Sequence, residues 1–332
     1  MGRIKGNDDV SGAVHMLYGS LQTSIVRPID HSAALGIDFS KLSVHKRSEL
    51  QLLDTLSFIV NHPLARQHRL AALTRFARWQ ITSRIHDEST VDWVDGAVLT
   101  VKRGMTGATG NLYCGLHEFA EMAFLLHLLQ PGDLFLDIGA NIGSYTVLAS
   151  RVCGADSIAF EPDATTAIAL RRNIAANGIE GRVRVEQFAL GSRNGEIPFT
   201  VGLDTMNRVA TANDKDTQIV EVRLLDDVPG ANDAVFAKLD VEGFEDEVIK
   251  GAMCVLSSTN LLAIQCESHG PVMTDVLFEH GFKQYFYDPI SRVISEGPAG
   301  YKTSNDLFVR DVEQVQCRVN RAPLRRVYES LI

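Results

Sequence analysis

The segment DIGANIG, residues 137–143, combines residue types at a spacing that can hold a nucleotide-like ligand. It follows an apolar run, and its glycines let the chain turn sharply and let a ligand approach the backbone. Asn141 stands where a dinucleotide-binding turn has glycine, so its side chain would crowd a pyrophosphate. Asp137 would repel phosphate and attract an ammonium group. The segment therefore favours a ligand with an amino group and disfavours a dinucleotide-dependent dehydrogenase.

A second carboxylate, Glu161, follows the next apolar run of the chain. A carboxylate at that strand end can accept hydrogen bonds from both hydroxyls of a ribose. A ligand with an amino acid at one end and a ribose in the middle is S-adenosylmethionine. The two motifs therefore predict a site for S-adenosylmethionine, with Asp137 and Glu161 as its charged contacts.

Asp240 ends a further apolar run, residues 234–240, and a carboxylate there suits three kinds of chemistry. It can hold the methionine amino group, accept a proton from a substrate hydroxyl, or ligate a divalent metal ion. Glu267 follows the next run and can pair with Asp240, which either binds a metal ion or raises one pKa toward neutrality. His269 adds an imidazole that suits base chemistry near pH 7. Asp240, Glu267 and His269 are therefore the candidate catalytic residues, and Asp240 with Glu267 the candidate metal ligands.

Strand-like and helical segments alternate from Asp133 onward and would position these side chains. Strands that alternate with helices of this length predict a parallel, doubly wound α/β sheet, in which strand ends meet at one edge. The predicted strands are residues 134–138, 157–161, 183–188, 234–240, 261–266, 282–287 and 307–310. The main predicted helices of this part are residues 117–129, 145–152, 164–177 and 245–256.

The region before residue 112 has a different pattern. Leucine spacings predict helices over residues 47–60 and 63–84, whereas residues 1–45 show no clear periodicity. Asp95-Gly96 joins two short β-type runs, which predicts a type I′ hairpin because both central residues need a positive φ. The helical pair has an apolar stripe and is attached to a core that is already complete, so we expect a homodimer.

Composition excludes several classes of protein. The net charge is −9, and residues 213–247 hold eleven acidic side chains against three basic ones, so no nucleic-acid partner is expected. The five cysteines form no C-x-x-C pair, which excludes zinc knuckles and thioredoxin-like motifs, and their scatter suits a reducing compartment. No signal peptide is visible and no apolar run is long enough to span a bilayer. We therefore expect a cytoplasmic protein without a transmembrane segment.

Several motifs, taken in order and spacing, resemble the FkbM family of S-adenosylmethionine-dependent methyltransferases. They are HEFAEMAFLLHLLQPGDLFLDIGANIGSYTVLAS, IAFEPD, RRNIAANG, AKLDVEGFEDEVIKGA and NDLFVR, and they cover roughly residues 112–310. The resemblance implies a Rossmann-like class I methyltransferase fold and methylation of hydroxyl groups, often on sugars or natural products. It also implies cofactor-binding roles for Asp137, Gly139, Asn141, Gly143 and Glu161, and it places Gln187 near the adenine ring.

The resemblance divides the chain into an accessory region at residues 1–111, a methyltransferase domain at 112–312 and a C-terminal tail at 313–332. Tyr113 and Glu118 precede the first core strand, in a segment that can cover the cleft, and are candidates for substrate and cofactor contact respectively. Asn207 lies in a loop that can shape an acceptor pocket. Glu242 is a further substrate candidate beside Asp240, unless its charge only stabilises the start of the next helix.

The expected activity is methyl transfer from S-adenosylmethionine to a hydroxyl of a carbohydrate or glycosylated acceptor. A non-sugar natural product is the alternative acceptor. A nucleic acid is a further alternative that the charge disfavours. A non-catalytic adenosyl-binding protein would keep the same core but lack polar groups on the acceptor side.

Overall fold

The structure is a computed structural model that describes residues 44–202, 207–211, 213–267, 270–298 and 303–332. Its strands, in chain order, are β1 (Glu88–Asp92), β2 (Val98–Lys102), β3 (Leu134–Ile138), β4 (Asp156–Phe160), β5 (Val183–Glu186), β6 (Ala189–Leu190), β7 (Gly195–Thr200), β8 (Thr217–Arg223), β9 (Ala234–Leu239), β10 (Ala263–Cys266), β11 (Lys283–Asp288), β12 (Val293–Ser295), β13 (Asp306–Val309), β14 (Arg326–Val327) and β15 (Ser330–Leu331).

The centre of the described part of the chain is an eight-stranded sheet in the order β5-β4-β3-β9-β10-β13-β11-β12. The five strands from β5 to β10 pair in parallel, whereas β13 runs antiparallel to both of its neighbours and β12 runs antiparallel to β11. The predicted mostly parallel α/β fold is therefore confirmed. A three-stranded sheet, β6-β8-β7, stands beside it.

Helices cover both faces of the large sheet. They are α1 (Val44–Asn61), α2 (Arg69–Thr82), α3 (Thr106–Cys114), α4 (Phe119–Leu128), α5 (Ser144–Val147), α6 (Ala164–Ala176), α7 (Glu245–Lys250), α8 (Met253–Ser257), α9 (Pro271–Glu279) and α10 (Val312–Arg321). Alternate side chains of β3 enter different cores: Phe135 packs on one face with Phe124 of α4, and Leu136 packs on the other with Ile158. None of these helices combines the length and apolarity needed to cross a membrane.

Several predicted helices have different bounds in the structure. Residues 63–84 divide into a 3-10 turn, Ala65–Gln67, and α2. Residues 245–256 divide at Gly251, where a side-chain carbon would lie 2.1 Å from the carbonyl oxygen of Gly191. Helix α3 was not predicted, because its sequence is rich in glycine, a poor helix former. Tertiary packing outweighs that propensity, since Leu112 and Cys114 are buried.

The predicted hairpin before the core is confirmed. Asp95 and Gly96 both have a positive φ, 46° and 76°, and Asp92 pairs with Val98 across the turn. The hairpin is tied to the core by Asn177, the C-cap of α6, whose Oδ1 accepts a hydrogen bond from the Val98 N–H at 2.8 Å. Residues 44–332 form one compact unit, and the domain boundaries at 111 and 312 stay predictions.

Candidate active site

The carboxyl ends of four parallel strands bring the polar residues together. The ladder of backbone hydrogen bonds continues one residue past each strand: the Asp240 N–H donates to Ile138 at 2.9 Å, and the Glu267 N–H donates to Leu239 at 3.2 Å. Side chains that are far apart in sequence are therefore held on one rigid edge. In open α/β sheets, ligands bind at this edge.

The turn after β3 requires glycine at its first position. Gly139 has a φ of +83°, and a Cβ there would lie 1.9 Å from the carbonyl oxygen of Asp240. Asn141 also has a positive φ, 51°, and its Oδ1 accepts a hydrogen bond from the Ile142 N–H at 2.8 Å. An asparagine tolerates this conformation better than most residues because its short side chain bonds locally. Hydrogen bonds within the turn therefore hold its shape.

Glu161 lies at the end of β4 and faces the same turn. Its two carboxylate oxygens accept hydrogen bonds from the Asn141 N–H at 3.0 Å and the Asp163 N–H at 2.9 Å. The side chain is buried, and burial raises its pKa to about 8. The carboxylate is therefore fixed in position, and any further hydrogen-bond donor that a ligand brings would stabilise its ionised form.

A cavity of about 670 Å³, including its open mouth, runs along this edge from Glu161 to Asp240. Its lining is mixed, with aromatic rings on one side and polar groups at both ends. The lining residues are Ile138, Gly139, Asn141, Phe160, Glu161, Pro162, Thr166, Phe188, Ala189, Leu190, Phe199, Asn207, Val209, Asp240, Val241, Glu242 and Phe244. An apolar, aromatic lining with a few polar groups is typical of small-molecule sites.

Lys238, on β9, forms an ion pair with Asp240 at the inner end of this cavity. The Lys238 Nζ lies 2.5 Å from the Asp240 Oδ2 and 4.5 Å from the centre of the Tyr145 ring. Burial opposes the charged form of both partners. Their mutual attraction outweighs it, so the pKa of Lys238 is raised and that of Asp240 is lowered. Asp240 is therefore ionised at neutral pH.

Glu267 forms the second half of a carboxylate pair with Asp240. Burial, the charges of Asp240 and Glu242, and a hydrogen bond to Asp240 raise the pKa of Glu267 to about 8. Two neighbouring carboxylates with pKa values moved apart in this way can share one proton. Ligand atoms of Asp240, Glu242 and Glu267 lie within 4.8 Å of one another, which would also suit a cation. Because Lys238 already neutralises Asp240, a metal ion there stays a prediction.

Six of the predicted site residues do not line the cavity: Asp137, Gly143, Gln187, Tyr113, Glu118 and Glu267. Asp137 does not line the cavity: its carboxylate is buried and accepts a hydrogen bond from the Thr146 hydroxyl at 2.5 Å, and burial raises its pKa to about 6. Asp137 therefore fixes the start of α5 from behind. Gly143 is also outside the lining; it is the N-cap of α5, with a φ of 89°.

Gln187 and Tyr113 lie outside the lining for other reasons, and the roles predicted for them stay predictions. Gln187 is exposed and lies near Arg171, whereas its neighbour Phe188 faces the cavity, because successive residues of an extended segment point to opposite sides. Tyr113 is buried against the Phe76 ring of α2, at a centroid distance of 5.2 Å. The structure thus supports neither an adenine contact for Gln187 nor a substrate contact for Tyr113.

The remaining predicted residues fall into three groups. Asn207 and Glu242 line the cavity as expected, and Glu242 is exposed with a φ of 53°. Glu118 is outside the lining and accepts a hydrogen bond from the Tyr145 hydroxyl at 2.6 Å, so it braces the ring that lies beneath Lys238. His269 lies outside the described residues.

Sequence reasoning missed Lys238 and the aromatic wall. A signal for Lys238 was present, since a lysine inside the apolar strand AVFAKL is buried and needs an acidic partner. No signal pointed to Phe199 and Val209, which reach the cavity because the β7 strand pairs with the segment that returns toward β8.

Residues 137–285 match the sequence model of a family described as the methyltransferase FkbM domain, so the expected resemblance is confirmed. The chain is also similar to the hexuronic acid methyltransferase AglP of Haloferax volcanii, with 29% identity over 147 residues, 42% of this chain. The match spans 59% of that relative's length.

Two solved structures illustrate the likeness in fold. An rRNA methylase from Streptococcus thermophilus aligns with 57% of this chain and 91% of its own, at 13% identity and a TM-score of 0.34. TYW2 of P. horikoshii in complex with MeSAdo aligns with 74% of this chain and 86% of its own, at 15% identity and a TM-score of 0.37. The likeness is limited at these scores, and the fold class follows from the strand order of the sheet itself.

Proposed function

We propose that this chain transfers a methyl group from S-adenosylmethionine to a hydroxyl oxygen of a carbohydrate, and the match of residues 137–285 to the methyltransferase FkbM domain supports this. The observation that carries the proposal is the arrangement of the cavity. The Glu161 carboxylate, which two backbone N–H groups hold in place, lines one part of the cavity, and Asp240, which forms a carboxylate pair with Glu267, lines another.

The chain's residues fit the cofactor. The Glu161 carboxylate is preset to accept both ribose hydroxyls, and the rings of Phe160 and Phe188 offer an apolar wall for an adenine. The ionised Asp240 carboxylate offers a negative charge to the amino group of the methionine end. Each of these contacts comes from a strand end or a constrained turn, so little ordering is needed on binding.

Bound S-adenosylmethionine supplies a methyl group that is already activated for displacement by an oxygen. The protein then has to align the acceptor hydroxyl and take its proton. Glu267 is suited to the second task, because its raised pKa makes the ionised form a stronger base than an ordinary carboxylate. Lys238 keeps Asp240 negative throughout, which holds the shared proton on Glu267 after transfer.

The chemistry around the carboxylate pair favours an acceptor rich in hydroxyl groups. Asn207, Asp240 and Glu242 line this end of the cavity, and carboxylate and amide groups recognise hydroxyls through paired hydrogen bonds. The relative AglP, named a hexuronic acid methyltransferase, is consistent with a sugar acceptor. A non-sugar natural product is the second candidate, since Phe199 and Phe244 give the cavity aromatic surface as well. The homodimer and the absence of a nucleic-acid partner stay predictions.

Calorimetric titration of the full chain with S-adenosylmethionine and with NAD tests the cofactor assignment. We expect saturable binding of S-adenosylmethionine and none of NAD. Binding of NAD alone would overturn the assignment, because the side chain of Asn141 and the acidic edge would then have failed to exclude a pyrophosphate.

We expect the affinity for S-adenosylmethionine to rise with pH up to about pH 8. The pKa of Glu161 is raised to about 8 by burial, and the carboxyl must be ionised to accept both ribose hydroxyls. Below pH 8 the Glu161 carboxyl is mostly protonated, so binding releases its proton. Kd therefore falls by at most about tenfold for each unit by which the pH is raised. Titrations at pH 6, 7 and 8 measure this slope.

The matched control is Glu161→Gln. An amide cannot ionise, so this variant should bind about tenfold or more weakly at pH 8 and lose the dependence on pH. A wild-type slope that persists in Glu161→Gln would assign the titration to another group.

A further inference from the structure

Helix α2 carries apolar side chains on both of its faces. Its inner face buries Ala72, Phe76 and Trp79. Its outer face leaves Leu70 and Ile81 83% and 63% exposed, respectively. A helix that packs one face on a core ordinarily presents polar side chains to water on the other face. Packing within the fold therefore does not account for the outer face of α2.

Leu70 and Ile81 belong to one stripe along the helix, which we call the outer stripe. It consists of Leu70, Thr74, Ala77 and Ile81, whose spacings of four, three and four place them on one side of an α-helix. Thr74 and Ala77 are also exposed, and the Thr74 hydroxyl donates a hydrogen bond to the Leu70 carbonyl oxygen at 2.8 Å. Ile85, which is 69% exposed, adds an apolar side chain just beyond the end of α2. The outer stripe therefore spans about 17 Å without a charged group.

Arginines flank the outer stripe. With 3.6 residues per turn, Arg69 and Arg78 project to opposite sides of it. Both are exposed, and neither forms an ion pair with another described residue. Residues 55–86 contain five arginines and no acidic residue, although the net charge of the chain is −9. Arg75 is paired with Glu329, whereas the other four arginines are exposed: Arg66, Arg69, Arg78 and Arg84. The outer face of α2 is therefore a basic surface with an apolar centre.

An anionic lipid surface has the chemistry that complements this face. Its phosphate groups accept charge-assisted hydrogen bonds from guanidinium groups, and the layer beneath them takes up apolar side chains. Arginine suits this boundary because its stem can lie along apolar surface while its head reaches a phosphate group. A nucleic acid would pair with the arginines but leave Leu70 and Ile81 in water.

A second copy of this chain fits the outer face less well. In a symmetric dimer the same patch meets itself. The flanking arginines of the two copies would then lie close together, and like charges repel. Since residues 55–86 contain no acidic residue, they offer no carboxylate to offset that repulsion. The charge of this face therefore matches an anionic bilayer better than it matches a second copy.

We propose that the outer face of α2 binds the surface of membranes that contain anionic lipids. The contact is peripheral: the outer stripe enters the headgroup layer, and Arg69 and Arg78 bind phosphate groups on either side of it. Each arginine near an anionic surface should strengthen binding about fivefold. This contact does not depend on the proposed methyl transfer, since no residue of α2 lines the cavity of the candidate active site.

The test is co-sedimentation of the full chain with vesicles of phosphatidylcholine, either alone or with about 30% phosphatidylglycerol. We expect binding to the anionic vesicles and at least about tenfold weaker binding to the neutral ones. Raising the salt concentration from about 0.1 M to about 1 M should weaken binding, because it shortens the Debye length from about 10 Å to about 3 Å. Arg78→Gln/Ile81→Ser removes one arginine and one apolar side chain, so it should reduce binding about tenfold or more.

The matched control is Ile168→Ser/Arg171→Gln on α6, a helix that also exposes an isoleucine and an arginine three residues apart. This control should bind as the wild type does, and both variants should keep the wild-type thermal unfolding curve because the substituted residues are exposed. Equal binding to neutral and anionic vesicles, no binding to either, or an equal loss in the control would overturn the proposal. A wild-type dimer in light scattering that Arg78→Gln/Ile81→Ser converts to a monomer would also overturn it, since the face would then belong to a second copy.

Discussion

Asp240→Asn should lower the turnover of methyl transfer by about two orders of magnitude at saturating cofactor. The substitution keeps the shape of the side chain but removes the charge that keeps the proton on Glu267. It also leaves the ammonium of Lys238, buried 2.5 Å away, without its counter-ion. The measurement is turnover with each substrate at saturation, together with a thermal unfolding curve for the variant.

The Asp240–Glu267 pair also predicts how turnover depends on pH. Glu267 must be ionised to accept the hydroxyl proton, and its pKa is raised to about 8, so turnover should rise with pH and level off above pH 8. Glu267→Gln should abolish that rise and lower turnover further. Full activity in a folded Asp240→Asn variant, with the wild-type pH profile, would remove the carboxylate pair from the mechanism.

Lys238→Met should reduce the free energy of unfolding by about 3 kcal/mol. Lys238 is buried, and its removal leaves the Asp240 carboxylate beside two other carboxylates, those of Glu242 and Glu267, without its cation. The expected loss is at the lower end for a broken buried pair, because the Asp240 side chain is one-third exposed. Chemical denaturation monitored by circular dichroism measures it.

The loss in Lys238→Met should be smaller at acidic pH, where Asp240 is protonated, than at pH 8, where it is ionised. Without Lys238, burial raises the pKa of Asp240 in the folded state, so stability falls as pH rises through that pKa. The double variant Lys238→Met/Asp240→Asn removes the unpaired charge and should recover at least about 1 kcal/mol. Additive losses in the two single variants and the double variant would show that the ion pair contributes nothing to stability.

The sequence predicted those strands and turns whose structure is determined by neighbouring residues in the chain. The strand over residues 134–138 has the same bounds in the structure, and the Asp95-Gly96 turn has the positive φ angles that its residue types require. Helix α3 was missed for the opposite reason: its glycines lower helix propensity, and burial of Leu112 and Cys114 against other elements decides its structure.

The candidate site was predictable in part. Residues at strand ends, such as Asp240 and Glu161, were found because the carboxyl edge of a parallel sheet is where ligands bind. The direction of a side chain at a strand end could not be predicted. Asp137 points toward Thr146 and away from the cavity. The aromatic wall around Phe199 comes from a separate small sheet, whose position no local pattern encodes.

The most direct measurement of the central claim uses S-adenosylmethionine with a deuterated methyl group and a panel of neutral sugars, uronic acids and nucleotide sugars. Mass spectrometry of the products should find the labelled methyl on a sugar oxygen, with S-adenosylhomocysteine formed in equal amount and the label lost in Asp240→Asn. A labelled methyl on a catechol or a nucleobase, with none on any sugar, would contradict the account.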